Sequence, residues 1–210
     1  MTNCLVIFTR YPEAGKVKTR LIPVLGAEGA AVLHRQMTES AIAQVKKLQF
    51  SLPLSLEVHF TGGDRQLMQQ WLGDDIFYRQ QSEGDIGMRM ASAFQIAFTN
   101  NTDNVIIVGS DCPTLKSQII AEAFQALSQH DLVLGPATDG GYYLIGLCRF
   151  IPDLFTGISW STSEVFQQTL EIAEKLNLKV AYLTELSDVD RPEDLSFVYT
   201  HDQKNLSAKI

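Results

Sequence analysis

Asp111 is the residue best placed to do chemistry. It follows the stretch Asn104-Val105-Ile106-Ile107-Val108-Gly109-Ser110 and precedes Cys112-Pro113. Val105 to Val108 is an unbroken apolar run rich in β-branched residues, the pattern of a central strand covered on both faces. Gly109 and Pro113 end the run, which leaves Ser110 and Asp111 at the strand's carboxyl end, the edge where open α/β sheets bind ligands. A carboxylate there can hold a divalent cation against phosphate, because Mg²⁺ prefers oxygen ligands and often takes only one or two carboxylates beside a ligand's phosphates. The alternative role is capping the next helix, for which Asp is a favoured residue.

The second cluster is basic. Between Thr9 and Leu21, Pro12 and Gly15 mark a loop that carries Arg10, Lys16, Lys18 and Arg20 against one acid, Glu13. In a chain of net charge -7 this local excess suits a di- or triphosphate, with Arg as bidentate donor and Lys as point charge. The loop lacks the GxxxxGK[ST] spacing of a P-loop, and a solvated charged loop is the other reading. Further on, Gly84 and Gly87 bracket Asp85 ahead of a helix that carries Arg89. A Gly-rich entry to a helix N-terminus suits phosphate, or a base and ribose, although Asp85 and Arg89 could pair with each other instead. Asp139-Gly140-Gly141 predicts a tight turn where backbone comes close to something. Tyr142 and Trp160 offer a ring to a sugar or base, or simply close the core. Cys112 has no His or other base near it in sequence and reads as structural.

These residues need a scaffold, and the hydrophobic pattern supplies one. Strands are predicted at Cys4–Phe8, Leu54–Thr61, near Ile76–Tyr78, at Val105–Val108, Asp131–Leu134 and Tyr142–Leu147, with a last core strand at Lys179–Leu183. The link between the strands at 131–134 and 142–147 is so short that these two should be antiparallel neighbours. Helical spacing places apolar faces on Leu33, Met37, Ala41, Val45 and Leu48; on Met90, Phe94, Ala97 and Phe98; on Ile119, Ile120, Ala123, Phe124 and Leu127; and on Phe166, Leu170, Ala173 and Leu176. A shorter helix runs through Leu67 and Trp71. His34 adjoins its helix's apolar face and reads as structural. An acidic turn, Leu186 to Leu195, precedes a short final helix, and His201–Ile210 is a polar, frayed end.

Composition bounds the function classes. With 210 residues, one domain over 1–210 is the expectation for an α/β pattern. Hydrophobic residues at 45% and charged residues at 20% are ordinary for a globular protein. The acidic balance argues against nucleic acid as partner. No apolar run reaches the roughly 18 residues of a membrane span, and no signal-peptide pattern is evident. Cys4, Cys112 and Cys148 form no CxxC pair or disulfide framework, so a cytoplasmic location is expected.

Five segments taken together resemble one family. They are Pro12-Glu13-Ala14-Gly15-Lys16-Val17-Lys18-Thr19-Arg20-Leu21, Gly84-Asp85-Ile86-Gly87-Met88-Arg89-Met90, Gly109-Ser110-Asp111-Cys112-Pro113, Gly135-Pro136-Ala137-Thr138-Asp139-Gly140-Gly141-Tyr142-Tyr143 and Asp188-Val189-Asp190-Arg191-Pro192-Glu193-Asp194-Leu195. The set is similar to the DUF2064 family, glycosyltransferase-A-like proteins associated with radical-SAM genes and often named arsenosugar-biosynthesis glycosyltransferases. The family in turn is similar to 2-phospholactate guanylyltransferase. The resemblance implies a three-layer α/β/α nucleotide-diphospho-sugar transferase (GT-A) fold with a mostly parallel sheet containing an antiparallel strand. It implies nucleotide at the carboxyl edge and Mg²⁺ or Mn²⁺ on acidic residues. Asp111 then takes the place of the first metal-binding aspartate, and Asp190 that of the later one. Lys16 and Arg20 match the phosphate-holding loop, and Asp111, Lys16 and Arg20 are the implied catalytic group. Arg10, Gly15, Lys18, Gly84, Asp85, Arg89 and Ser110 join them around the nucleotide, with Asp139, Gly140, Gly141, Tyr142 and Trp160 around the acceptor. At most one of Asp188 and Asp190 is expected to face the metal. The central strand lacks a plain Asp-x-Asp, since Cys112-Pro113 follows Asp111.

Three functions follow. The first is metal-dependent glycosyl transfer from a nucleotide-sugar to a small acceptor, in which the protein positions the reactants and stabilises charge. The second is nucleotidyl transfer from a nucleoside triphosphate to a phosphorylated acceptor, favoured by the number of cations in the first loop. The third is a nucleotide-binding protein without turnover, since fold does not set function.

Overall fold

The structure is a computed structural model and describes residues 2–196. The polar end expected over His201–Ile210 lies outside these residues. Within them the strands are β1 (Asn3–Arg10), β2 (Leu54–Thr61), β3 (Phe77–Gln80), β4 (Asn104–Gly109), β5 (Leu132–Pro136), β6 (Tyr142–Leu147) and β7 (Val180–Tyr182). The helices are α1 (Ile22–Gln49), α2 (Arg65–Leu72), α3 (Ile86–Thr99), α4 (Ser117–Ala126) and α5 (Val165–Lys175). The strands form one sheet in the order β3-β2-β1-β4-β6-β5-β7. Only β6 runs against the others; it pairs antiparallel with both β4 and β5. The sheet is therefore mostly parallel, as the hydrophobic pattern and the short link before β6 predict.

The continuous apolar runs are explained by burial on both faces. On β1, Leu5 and Ile7 face one core while Cys4, Val6 and Phe8 face the other. On β4, Ile106 and Val108 alternate in the same way with Val105 and Ile107. The first core packs Ala41, Val45 and Leu48 of α1, Met68 of α2, and Ile120 and Phe124 of α4 against the sheet. The second packs Met90, Phe94 and Ala97 of α3 and Ala173 of α5 against the opposite face. Helices thus cover both faces, which gives the three-layer α/β/α architecture. Each fully buried Leu or Ile in these layers contributes about 1.5–3 kcal/mol relative to exposure, so the sheet's centre holds its carboxyl edge firmly in place.

Three expectations change. The predicted core strand at Lys179–Leu183 is the sheet's outer edge: β7 pairs with β5 alone, and Tyr182 is 58% exposed. Its apolar letters cover the flanks of the two cores without closing either, and the outer ladder faces solvent. The third strand is shifted to Phe77–Gln80, with Ile76 buried just before it. Leu176, assigned to the buried face of α5, is its C-terminal cap residue and 38% exposed; Ala173 is buried as expected, with Val165 and Thr169 beside it, and Phe166 and Leu170 are partly buried against the same core.

Candidate active site

The parallel strands β1, β4, β5 and β7 all end on one edge, and the loops that follow them build the site. Two backbone ties bring the most distant loop inward. Thr138 N donates to Leu186 O at 3.0 Å and Leu186 N to Pro136 O at 3.1 Å, prolonging the pairing of β5 and β7. Val189 N then donates to Asp111 O at 3.0 Å, carrying the chain across to the end of β4. Val189 is fully buried against Leu21, Leu33, Met37 and Leu195. That anchor turns Asp188 and Asp190, one on each side of it in sequence, into the cleft together. Both line the cleft, because residues two apart in extended chain share a side; of the two, Asp190 makes the ion pairs with Lys18 and Arg20. Asp194 steadies the turn, its Oδ2 accepting from Asp190 N at 3.0 Å and from Arg191 N at 2.7 Å.

Asp111 and Asp190 meet around Lys18. The Lys18 Nζ lies 2.9 Å from Asp111 Oδ1 and 3.8 Å from Asp190 Oδ1, and the lysine side chain is only 4% exposed. Arg20 closes the other side by a short contact with Asp190. Lys18 reaches this position from a left-handed backbone, φ 46° and ψ 44°, a conformation that costs an L-residue about 1–2 kcal/mol and that clusters at functional sites. Asp111 Oδ1 is buried and its contact with Lys18 lies off the line of a hydrogen bond, while the side chain as a whole is 47% exposed. The two carboxylates thus converge on one cation-sized position and also face the open cleft. This oxygen donor pair fits Mg²⁺ or Mn²⁺ completed by phosphate oxygens; among the described residues, no three His, Cys, Asp or Glu side chains assemble into a metal cluster.

The cleft extends from these residues toward α3 and α5, with a volume of about 820 Å³. Asp139, Gly141, Tyr142, Trp160, Ser161, Thr162 and Ser163 form its far part. The predicted turn at Gly140 does come close to something. A side chain there would meet the carbonyl oxygen of Ser163 at 2.2 Å, and Gly140 O accepts from Phe166 N at 3.0 Å. Trp160 packs against the first turn of α3, where a Cβ on Gly87 would sit 2.2 Å from its ring. Asp139 turns back to accept from Gly141 N at 2.8 Å. Asp188 is held above the usual carboxylate range by burial and then by the charge of Asp139. This end of the cleft is electronegative.

The structure therefore brings Asp111, Lys18, Arg20, Asp190, Asp139, Gly141, Tyr142 and Trp160 together. Other residues expected around the ligand are placed elsewhere. Lys16 is exposed and pairs with Glu13 at 2.8 Å. Ser110 turns its hydroxyl inward, donating to Thr9 Oγ1 at 3.2 Å. That contact joins a buried network in which Thr9 also meets Thr38 and His34, and the His34 ring in turn meets Arg10 O at 2.9 Å. Asp85 caps α3 through Met88 N at 2.8 Å, and Arg89 donates to Gly84 O at 2.9 Å, so the two make no pair with each other. Arg10, Gly15, Gly84, Asp85 and Arg89 do not line the cleft. Burial and the charge of Asp111 push the Cys112 thiol up, in keeping with a structural cysteine. Thr138, Ser161 to Ser163, Arg191 and Asp194 were not singled out from sequence. Asp194, four residues after Asp190 and just past a proline, is the one whose capping role the sequence signals.

Comparisons with known proteins fit this architecture. Residues 44–162 match the family model described as an uncharacterized protein conserved in bacteria, DUF2064. The chain belongs to the DUF2064 family. Its fold is shared with a protein from Desulfovibrio desulfuricans G20 named as a nucleotide-diphospho-sugar transferase, at a TM-score of 0.85 and 36% identity, covering 91% of this chain and 84% of that one. The chain is also 28% identical to the 2-phospho-L-lactate guanylyltransferase of Methanocaldococcus vulcanius, over 95% of its own length and 86% of the relative's. A more distant likeness of fold joins it to glucosyl-3-phosphoglycerate synthase of Mycobacterium tuberculosis, solved with Mn²⁺, UDP and glucosyl-3-phosphoglycerate. That match has a TM-score of 0.56 and 14% identity, covering 92% of this chain and 74% of that one. The chain is a transferase built on the nucleotide-diphospho-sugar transferase fold, of the class whose members move nucleotidyl or glycosyl groups. Among the described residues no helix is long and apolar enough to cross a membrane.

Proposed function

We propose that this protein transfers a glycosyl group from a nucleotide-sugar to a small hydroxyl-bearing acceptor in the cytoplasm, with Mg²⁺ or Mn²⁺ held by Asp111 and Asp190. The observation that carries the choice is the charge of the cleft. Lys18 and Arg20 are engaged by Asp111 and Asp190, and Lys16 by Glu13. Once a metal takes the two carboxylates, Lys18 and Arg20 pass to a diphosphate, while Lys16, held by Glu13, and Arg10, outside the cleft, add no cation for the third phosphate of a triphosphate. The part of the cleft lined by Asp139, Thr138 and the hydroxyls of 161–163 is poor ground for a phosphorylated acceptor and good ground for a neutral, hydroxyl-rich one. The metal's contribution, once bound, is to neutralise charge on the diphosphate leaving group. Arg20 adds donors to the same oxygens. Trp160 and Tyr142 offer faces to the sugar or acceptor, and Asp139 is the carboxylate best clear of Lys18 and Arg20 to take the acceptor hydroxyl's proton.

Nucleotidyl transfer is the second reading, supported by the guanylyltransferase relative that matches nearly the whole chain. A thermal-shift panel of nucleotide-sugars and nucleoside triphosphates with Mg²⁺ or Mn²⁺ separates the two. The preferred ligand at a hundredfold excess over its Kd should add about 2.7 kcal/mol of stability. Preference for a UDP- or GDP-sugar, followed by metal-dependent release of the nucleoside diphosphate with an acceptor, supports glycosyl transfer. Preference for a triphosphate with pyrophosphate release reverses it, and binding without turnover of any kind leaves a nucleotide sensor.

A further inference from the structure

We propose that Lys18 is the resident counter-cation of the Asp111–Asp190 pair, and that it surrenders this place to a divalent cation only when a polyphosphate draws it away, so that metal and nucleotide bind as one unit. The inference rests on the metal position argued above and not on which group is transferred. Asp111 and Asp190 carry two negative charges, and Lys18 and Arg20 return two positive ones at contact distance. A dication entering this balanced quartet would face two cations within a few Å, a repulsion worth several factors of about ten in affinity at the dielectric of a protein surface. Diphosphate oxygens remove that obstacle by giving both side chains a new partner.

The two cations are not equivalent. The Arg20 side chain is 65% exposed and can swing away freely, whereas that of Lys18 is 4% exposed and rises from a left-handed residue that aims it inward. Lys18 therefore sets the threshold. Its contact with Asp111 is built to be exchanged: Asp111 Oδ1 is buried and receives no aligned hydrogen bond, so the lysine acts there as a point charge. Lys16, two residues earlier, is exposed and tied to Glu13, and cannot substitute.

The test is Mn²⁺ binding to the full chain by calorimetry and electron paramagnetic resonance, first alone and then as Mn²⁺–UDP or Mn²⁺–pyrophosphate. Lys18→Met should tighten Mn²⁺ alone by about tenfold or more, and weaken the Mn²⁺–diphosphate complexes by a similar factor. Lys18→Gln, a milder change at the same atoms, should repeat both shifts if the Met variant folds poorly, while Lys18→Arg should keep Mn²⁺ alone weak. Opposite signs are the signature, because a purely structural lysine would weaken both. The proposal is overturned if Mn²⁺ alone binds no more tightly in Lys18→Met and Lys18→Gln while Asp111→Asn still abolishes binding; the metal position then survives. If no variant shows Mn²⁺ binding that depends on Asp111, with or without diphosphate, both fall.

Discussion

Replacing Gly140 by Ala tests whether the far wall of the cleft is held by backbone-to-backbone contact. Gly140 has φ +88°, and its added Cβ would meet Ser163 O at 2.2 Å, Ser163 Cα at 2.7 Å and Ser163 C at 2.8 Å. All three are main-chain atoms, so no side-chain rotation relieves the clash. The left-handed backbone costs an alanine about 1–2 kcal/mol, and forcing the 161–164 segment outward adds about 1–3 kcal/mol of overpacking. Gly157 is the control: its φ is +75°, but nothing lies within 4 Å of its Cβ position, so Gly157→Ala meets the backbone cost alone. Urea unfolding should therefore show Gly140→Ala less stable than Gly157→Ala by about 1–3 kcal/mol. Because Ser161 to Ser163 line the cleft and Phe166 N bonds Gly140 O, stabilisation by ligand should also fall in the first variant and persist in the second. Equal losses of stability in the two variants would show that the turn does not brace the wall, and would refute the reasoning.

The metal pair and the buried histidine give two more expectations. Asp111→Asn and Asp190→Asn should each remove the metal-dependent part of nucleotide stabilisation, about 2.7 kcal/mol at a hundredfold ligand excess. The double variant should be little worse than either single, because both act on one cation; Asp188→Asn should be milder, and a metal response retained by Asp111→Asn refutes the assignment. Burial lowers the pKa of His34, so the folded state disfavours its proton relative to the unfolded chain. The unfolded state then binds more protons as pH drops through the ordinary value of 6.5, and stability is lost in that direction. His34→Gln should cost stability at neutral pH, by breaking the contacts to Arg10 O and Thr9, and the gap from the wild type should narrow on acidification; a constant gap means that His34 does not contribute to the pH dependence.

The amino-acid sequence determined the elements and one corner of the site. β4 was legible because four consecutive apolar residues need two covered faces, and Asp111 because an acid after such a strand has to emerge at its carboxyl edge. The antiparallel sense of β6 followed from a link too short for a crossover. Tertiary structure decided what local pattern does not encode. β6 lies between β4 and β5, and β7 is an edge, because strand order depends on which faces remain to be covered once the helices have docked. In the first loop four cations looked alike, yet only Lys18 and Arg20 meet the carboxylates, while Lys16 turns to solvent. The left-handed turn at Lys18 selects them, and no periodicity announces a single residue's φ. Ser110 and Asp111 are neighbours that the end of a strand sends in opposite directions, the hydroxyl into the Thr9–His34 network and the carboxylate into the cleft. Asp190 reaches Asp111 from 79 positions along the chain, because burial of Val189 and the bond from its amide to Asp111 O fold the last loop across the edge. That closure depends on long-range packing, and only the folded chain contains it.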